Sequence, residues 1–271
     1  MTPIASAAAE EYATLLNRVR RDRRVLGLVL TGSRAREGLA TEHSDYDVYL
    51  VVADGTEDAA HGGGALAALL RRDARLDVMV LPLTEFREHA LPGSGTEWNR
   101  YAFTHAKVEM DTADGLIGDL VTAKGTLGAE EGAVLAPEYL DAFLNSAYRC
   151  LKSARDGQPL AAGLDAAEAV PYYLTYLFAA HNRVRPYNKY LAWELRRHPL
   201  SRPEWSPERL LPLLGGVLAA EGAPAAVRTL FNELEPHARA WGHGPVLDEW
   251  GEDLRLLRGD LDLDRRVAGR V

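Results

Sequence analysis

Three aspartates in the first third of the chain have the residue type and spacing of a metal site. Asp45 and Asp47 stand two residues apart at the start of one apolar run, and Asp77 interrupts another. Residues two apart on a strand point to the same side, so Asp45 and Asp47 are predicted to share a face. Like charges placed in this way repel each other, and a divalent cation relieves that repulsion. Carboxylate oxygens are hard ligands, which favours Mg²⁺ as the ion.

Asp77 would join this site if its strand lies beside the strand that carries Asp45 and Asp47. Its apolar neighbours occupy the opposite parity, as expected for a strand with one polar position. Three converging carboxylates can hold two metal ions about 3.5–4 Å apart, which is the arrangement that clamps both oxygens during displacement at phosphorus. The alternative interpretation is that Asp77 is an edge-strand charge that discourages pairing between sheets.

The segment between the first two apolar runs has the composition of an anion site. Gly32 and Ser33 end the first run, and glycine lets the backbone approach a phosphate closely. A short helix-like stretch is predicted to follow, and its first turn would offer unpaired N–H groups. Arg34 and Arg36 are either further phosphate contacts or solvated charges. Ser44 is either a phosphate ligand or a turn residue that bonds to nearby backbone.

The elements that must position these residues differ between the two halves of the chain. Short runs rich in Val, Leu and Tyr predict strands at 25–30, 46–52, 75–81 and 106–110. Helices are predicted between them at 65–72 and 83–90. Beyond residue 136 apolar residues recur at helical spacing. This spacing predicts one helix with Pro137 in its first turn and others at 165–182, 189–197, 208–220, 225–240 and 246–258.

This pattern predicts an α/β fold of the α+β kind. A mixed-sheet domain is expected over residues 1–125, followed by a helical bundle over 136–271, and the Gly/Ala-rich stretch 124–136 is the expected boundary. Pro171 falls inside the second predicted helix, where it either starts or kinks that helix.

Composition narrows the classes of function. The 271 residues include 31 Lys and Arg against 39 Asp and Glu, giving a net charge of −8 that argues against an extended nucleic-acid face. The single Cys150 cannot form an intramolecular disulfide, which predicts a cytoplasmic protein. The apolar stretch 169–180 is too short to cross a bilayer, so no membrane segment is expected.

These motifs together resemble one known family. Gly32-Ser33, then eleven residues, then Asp45-x-Asp47 at the start of an apolar strand, with Asp77 in a later strand, is similar to the DNA polymerase beta-like nucleotidyltransferase superfamily. Its small bacterial members include the aminoglycoside nucleotidyltransferases. The resemblance covers residues 25–81, which is less than a third of the chain.

The resemblance implies a role for each matched residue. Gly32 and Ser33 would bind the β- and γ-phosphates of the nucleotide. Asp45 and Asp47 would hold two Mg²⁺ ions. Asp77 would hold the catalytic ion and help to activate the acceptor hydroxyl.

A weaker resemblance lies in the second half of the chain. Residues 181–195 are similar to a segment in which a lysine shortly before a tryptophan reaches the triphosphate, and here these are Lys189 and Trp193. A lysine in the first turn of a helix opposes the helix dipole, and a bound anion would explain its presence. The alternative is a solvated lysine that happens to lie at a helix start.

The resemblance implies Mg²⁺-dependent transfer of AMP from ATP to a hydroxyl of a small molecule, with release of pyrophosphate. Two alternatives stay open, namely nucleotidylation of a protein partner, of the toxin or antitoxin type, and a catalytically silent nucleotide-binding module. The sequence leaves the acceptor, the nucleobase selectivity and the oligomeric state open.

Overall fold

The computed structural model describes residues 3–56, 75–219 and 222–260. The chain divides into two compact units, Met1–Thr126 and Leu127–Val271. The helix predicted at 65–72 lies outside the described residues.

The first unit is built on a mixed sheet of four strands. They are β1 (Val25–Leu30), β2 (Tyr46–Val52), β3 (Leu76–Pro82) and β4 (Lys107–Asp111). The strand order is β3-β2-β1-β4, with β1 antiparallel to β2 and β4, and with β2 parallel to β3. All four predicted strands are confirmed, the last two with a shift of one residue. A mixed sheet followed by helices confirms the predicted class.

The helices of the first unit are short apart from the first. They are α1 (Pro3–Val19), α2 (Leu83–Glu88), α3 (Tyr101–Thr104) and α4 (Leu116–Gly125). A 3₁₀ turn at Glu97–Asn99 precedes α3. The helix predicted at 83–90 ends two residues early, because Ala90 has a φ of 64° that no right-handed helix accommodates.

Both faces of the sheet are covered, and alternation along the strands decides which residues face which core. One core contains side chains from α1 together with Leu28, Leu30, Val48, Leu50, Val78 and Val80. The other contains side chains from α2, α3 and α4 together with Val29, Tyr49 and Val51. Asp47 shares the parity of Tyr49, so it belongs to the second face.

Among the described residues, the regular elements of the second unit are all helices. Its helices are α5 (Ala129–Arg155), α6 (Pro159–Ala179), α7 (Leu191–Arg197), α8 (Pro207–Val217), α9 (Ala223–Ala240), α10 (Gly244–Glu249) and α11 (Leu254–Arg258). Their buried apolar side chains form one core cluster, and α5 and α6 supply four of its six fully buried aromatic side chains. No helix in the described part of the chain is long and apolar enough to cross a bilayer.

Several boundary predictions in this half are wrong, including that for the helix expected at 165–182, since α6 spans Pro159–Ala179. Pro137 lies inside α5 and not in its first turn, because α5 begins at Ala129 with two acidic side chains that favour a helix N-terminus. As a result most of the stretch expected as a boundary is helical. The helix predicted at 246–258 is instead split into α10 and α11 by a 3₁₀ turn, in which Gly251 has a φ of 48°. Pro171 lies in the interior of α6.

Candidate active site

Asp47 and Asp77 are direct partners in the parallel pairing of β2 with β3. Paired residues on neighbouring strands point to the same face, so the two carboxylates lie side by side on the face that carries Tyr49. Both residues are partly exposed. The expectation that the two strands are neighbours is confirmed, and the alternation within each strand brings their charges together.

Asp45 is placed differently from these two residues. It precedes the first residue of β2 and is partly exposed. Within the ranges that the structure describes, no three His, Cys, Asp or Glu side chains are grouped so as to hold a metal ion. The three aspartates are thus not grouped as a metal site in this conformation, and their role as metal ligands stays a prediction.

The turn after β1 is packed directly against Asp47. The backbone N–H of Thr31 donates to the carbonyl of Asp47 at 2.8 Å. Gly32 has a φ of 63°, and a Cβ atom at this position would lie 1.7 Å from Oδ2 of Asp47. The close approach of the Asp47 carboxylate therefore requires a glycine at position 32.

The helix-like stretch predicted after Gly32 is a series of turns. The backbone N–H of Ala35 donates to Thr31 and that of Arg36 to Ser33, both at 3.3 Å, and no regular helix follows. The helix dipole invoked for anion binding is therefore absent from this segment. Ser33 is buried, with an exposed fraction of 3%. An anion site here would depend on the backbone of the turn.

Arg36 supports this turn from inside the protein. Its side chain is almost fully buried, with Nη1 donating to the carbonyl of Gly32 at 2.6 Å and Nη2 donating to that of Tyr101 at 2.9 Å. The guanidinium also lies 4.7 Å from the centre of the Tyr101 ring. Both interpretations considered for Arg36, a phosphate contact and a solvated charge, are wrong, because the side chain joins two backbone segments below the surface.

Arg34 holds the backbone that leads into β2. Its guanidinium donates to the carbonyl of Ser44 at 2.7 Å and to that of Asp45 at 3.1 Å. It also lies 4.2 Å from the ring centre of Tyr46, which stacks on Tyr12 at 4.3 Å. Arg34 is thus a positioning residue for Asp45, and its predicted contact with the nucleotide stays a prediction.

Ser44 takes part in a turn of its own. Its hydroxyl accepts a hydrogen bond from the backbone N–H of Thr41 at 2.9 Å. This is the local turn role that was one of the two interpretations of this residue. Its role as a phosphate ligand stays a prediction.

A polar group that the sequence did not reveal lies on the same face of the sheet as the aspartates. Asn99 donates through Nδ2 to the hydroxyl of Tyr49, and the same atom is 3.0 Å from Nε2 of His89. The Tyr49 hydroxyl is 3.3 Å from that ring nitrogen. Burial raises the pKa of Tyr49 to about 12. The hydrogen bond from Asn99 lowers this pKa, whereas the negative charges of Asp47 and Asp77 raise it. The phenol therefore lies within the field of both carboxylates.

Lys124 is buried beside this polar group. Its ammonium donates to the carbonyl of Arg87 at 3.0 Å and to that of His89 at 2.8 Å, and it lies 5.0 Å from the ring centre of Phe86. Burial lowers the pKa of Lys124 to about 8. No sequence signal marks this lysine, because only the folded chain shows that it is enclosed.

Lys189 belongs to the second unit and is exposed. It lies in a 3₁₀ turn at Asn188–Tyr190, with Nζ 5.4 Å from the ring centre of Tyr190. The following helix α7 begins at Leu191. Lys189 therefore precedes the first turn of that helix, and the helix-dipole argument for a bound anion is wrong. A contact with a triphosphate stays a prediction.

Neither the models of known protein families nor the curated proteins include a match to this chain.

Proposed function

We propose that this chain is a Mg²⁺-dependent nucleotidyltransferase that transfers AMP from ATP to a hydroxyl of a small-molecule acceptor and releases pyrophosphate. The observation that carries the proposal is the direct pairing of Asp47 with Asp77, beside a turn whose glycine makes room for one of the two carboxylates. This combination supports the resemblance to the nucleotidyltransferase superfamily at the positions that carry its motif.

The donor set fits Mg²⁺. Two carboxylates in register on adjacent strands repel each other, and this repulsion opposes folding until a cation reduces it. Asp47 and Asp77 would hold the first ion, and Asp45 would complete the set for a second. When bound, Mg²⁺ would neutralise charge on the triphosphate and polarise the phosphorus that is attacked.

The residues of the chain would supply position and proton transfer. The backbone at Gly32 and Ser33 would contact the phosphates, held in place by the buried guanidinium of Arg36. Asp77 would accept the proton of the acceptor hydroxyl, whose oxygen forms the new bond to the α-phosphorus as the bond to pyrophosphate breaks. Positioning and charge neutralisation account for most of the rate gain in reactions of this kind.

The test is a pyrophosphate-release and pyrophosphate-exchange assay with each of the four nucleoside triphosphates, with Mg²⁺ and with EDTA. A panel of small hydroxyl compounds then follows, including polycationic aminoglycosides. We expect ATP-dependent exchange that EDTA abolishes. If calorimetry detects no binding of any triphosphate in the presence of Mg²⁺, the proposal is wrong.

The same assay separates the two alternatives. Labelling of a co-purified protein from α-labelled ATP, with no transfer to small acceptors, would identify a protein-modifying enzyme. Tight nucleotide binding without exchange would identify a silent binding module.

A further inference from the structure

His89 has a backbone that several neighbours hold in place. It follows the last residue of α2, and the next residue, Ala90, has a φ of 64° although it is not a glycine. A left-handed conformation costs an alanine about 1 kcal/mol, so it persists only where surrounding contacts impose it. Here the N–H of Ala90 donates to Oγ1 of Thr96 at 2.8 Å, and the side chain of Ala90 is completely buried.

The buried ammonium of Lys124 holds the carbonyl side of the His89–Ala90 peptide in place. The ammonium of Lys124 donates to the carbonyl of His89 at 2.8 Å. Lys124 is itself fully buried, so this contact lies in a region with little water to compete for it. The strained turn and the lysine together determine where the imidazole can reach.

The imidazole is an acceptor in this arrangement. The amide nitrogen of Asn99 carries two hydrogens, of which one is donated to the hydroxyl of Tyr49 and the other is directed at Nε2 of His89, 3.0 Å away. Nε2 must then carry a lone pair, which is the neutral ring with its proton on Nδ1. The amide group of Asn99 thus orients both the Tyr49 hydroxyl and the His89 ring.

Tyr49 connects this group to the candidate active site. It follows Asp47 by two residues on β2, so its side chain is the next one along the same face. We infer that His89 is a positioning residue of the proposed active site, which acts through Asn99 and Tyr49 on Asp47 and does so only as the neutral imidazole. This inference rests on the proposed function for its effect on catalysis.

The charges around His89 favour the neutral ring. Burial lowers the pKa of His89, and the positive charge of Lys124 on α4 lowers it further. On β2, the hydroxyl of Tyr49 faces the His89 ring. This hydroxyl remains protonated because the pKa of Tyr49 is raised to about 12. As the pH falls through the pKa of His89, Nε2 gains a hydrogen that faces the amide hydrogens of Asn99. The contact is then lost, so activity should fall on the acid side.

The test compares the pH dependence of kcat in two variants with wild type. In His89→Gln an amide oxygen can replace Nε2 as an acceptor that does not titrate. We expect this variant to keep most of its activity at pH 8 and to lose the acid limb that His89 causes. In His89→Leu we expect kcat to fall by about tenfold across the whole range, as for the loss of a residue that orients a metal ligand. The exposed His198 provides the control, since His198→Gln should leave the profile unchanged.

A second measurement tests the inference without any activity. Nitrogen NMR of the His89 ring should show the tautomer with its proton on Nδ1 at pH 7.5, and Asn99→Ala should shift the titration of that ring. Absence of transfer with every triphosphate would overturn the proposed function and leave this NMR result standing. An Nε2-protonated tautomer, or an acid limb in His89→Gln identical to wild type, would overturn the inference about His89.

Discussion

Gly32 packs so closely against Asp47 that a Cβ atom added to Gly32 would lie 1.7 Å from Oδ2 of Asp47. The backbone of the same turn donates to the carbonyl of Asp47 through Thr31. The turn after β1 and the carboxylate on β2 therefore form one unit, and a change in either must displace the other.

Gly32→Ala should destabilise the first unit by about 3 kcal/mol, of which about 1 kcal/mol is the cost of a left-handed alanine and the rest is displacement of Asp47. Gly38→Ala is the matched control, because Gly38 also has a positive φ, of 79°, with open space around it. Urea denaturation should show only about 1 kcal/mol for the control. In an Asp47→Ala background the effect of Gly32→Ala should shrink by at least about 1 kcal/mol, and equal effects in both backgrounds would remove the steric explanation.

Asp77→Asn should abolish nucleotidyl transfer while preserving the fold. The substitution removes a charge that the proposed metal site needs, so pyrophosphate exchange at saturating Mg²⁺ and ATP should fall by at least about 100-fold. Without metal, relief of the repulsion with Asp47 should raise the free energy of unfolding by about 0.5 kcal/mol. Asp119→Asn, at an exposed position on α4, is the control for activity and should leave pyrophosphate exchange unchanged. Full exchange activity in Asp77→Asn would remove this residue from the site.

Arg36→Met should destabilise the protein by about 3 kcal/mol, because the carbonyls of Gly32 and Tyr101 lose a charged donor in the interior. Arg36→Lys should recover only part of this loss, since a single ammonium does not reproduce a planar fork. Thermal denaturation measures both, with the exposed Arg23→Met as a control that stays within about 0.5 kcal/mol of wild type. A stable Arg36→Met protein with unchanged nucleotide affinity would show that the turn holds its shape without this side chain.

Lys124 should make the stability of the protein rise with pH above pH 8. Its pKa is lowered by burial from 10.5 to about 8 in the folded chain. Below pH 8 the lysine is charged in both states, whereas between pH 8 and 10.5 the unfolded chain keeps a proton that the folded chain releases. The gain in unfolding free energy between pH 7.5 and 9.5 should therefore be larger in wild type than in Lys124→Met. The same gain in both proteins would contradict a depressed pKa for Lys124, and the exposed Lys152→Met should behave as wild type.

Lys189→Ala should raise the KM for MgATP by about tenfold, which corresponds to the loss of one charge-assisted hydrogen bond. Lys152→Ala is a close control, because both lysines are exposed and each lies near a tyrosine ring, at 5.4 Å and 5.2 Å from the ring centre. The melting temperature of either variant should match wild type. If both variants show wild-type kinetics, the helical unit provides no contact with the nucleotide through Lys189.

The strands were predictable because the alternation of their side chains is local. The parity that sets Asp47 apart from Val48, and Asp77 from Val78, is visible in the sequence and holds in the sheet. Which strands pair depends on the whole fold. The sequence therefore predicts that Asp47 and Asp77 lie together only on the condition that their strands are neighbours. Asp45 immediately precedes β2, where the predicted strand bounds place it, and its carbonyl accepts a hydrogen bond from Arg34.

Buried charges and helix ends were the least predictable features. Arg36 and Lys124 belong to residue types that are usually solvated, and only tertiary packing shows that each joins two backbone carbonyls. Pro137 suggested a helix start because proline is common in a first turn, but the helix continues through it with the loss of one backbone hydrogen bond. His89 and Asn99 gave no signal, since neither belongs to a recognisable motif.

The parallel pairing of β2 with β3 also has a consequence for the quality of a protein preparation. A slip of one residue in this register would turn Asp77 towards the core beside α1 and turn Val78 and Val80 out of it. A sheet in the wrong register thus loses its apolar packing together with its paired carboxylates. Molecules that retain a native core should for this reason all carry the same aspartate pair, so the fraction of folded molecules and the fraction with an intact pair are the same quantity.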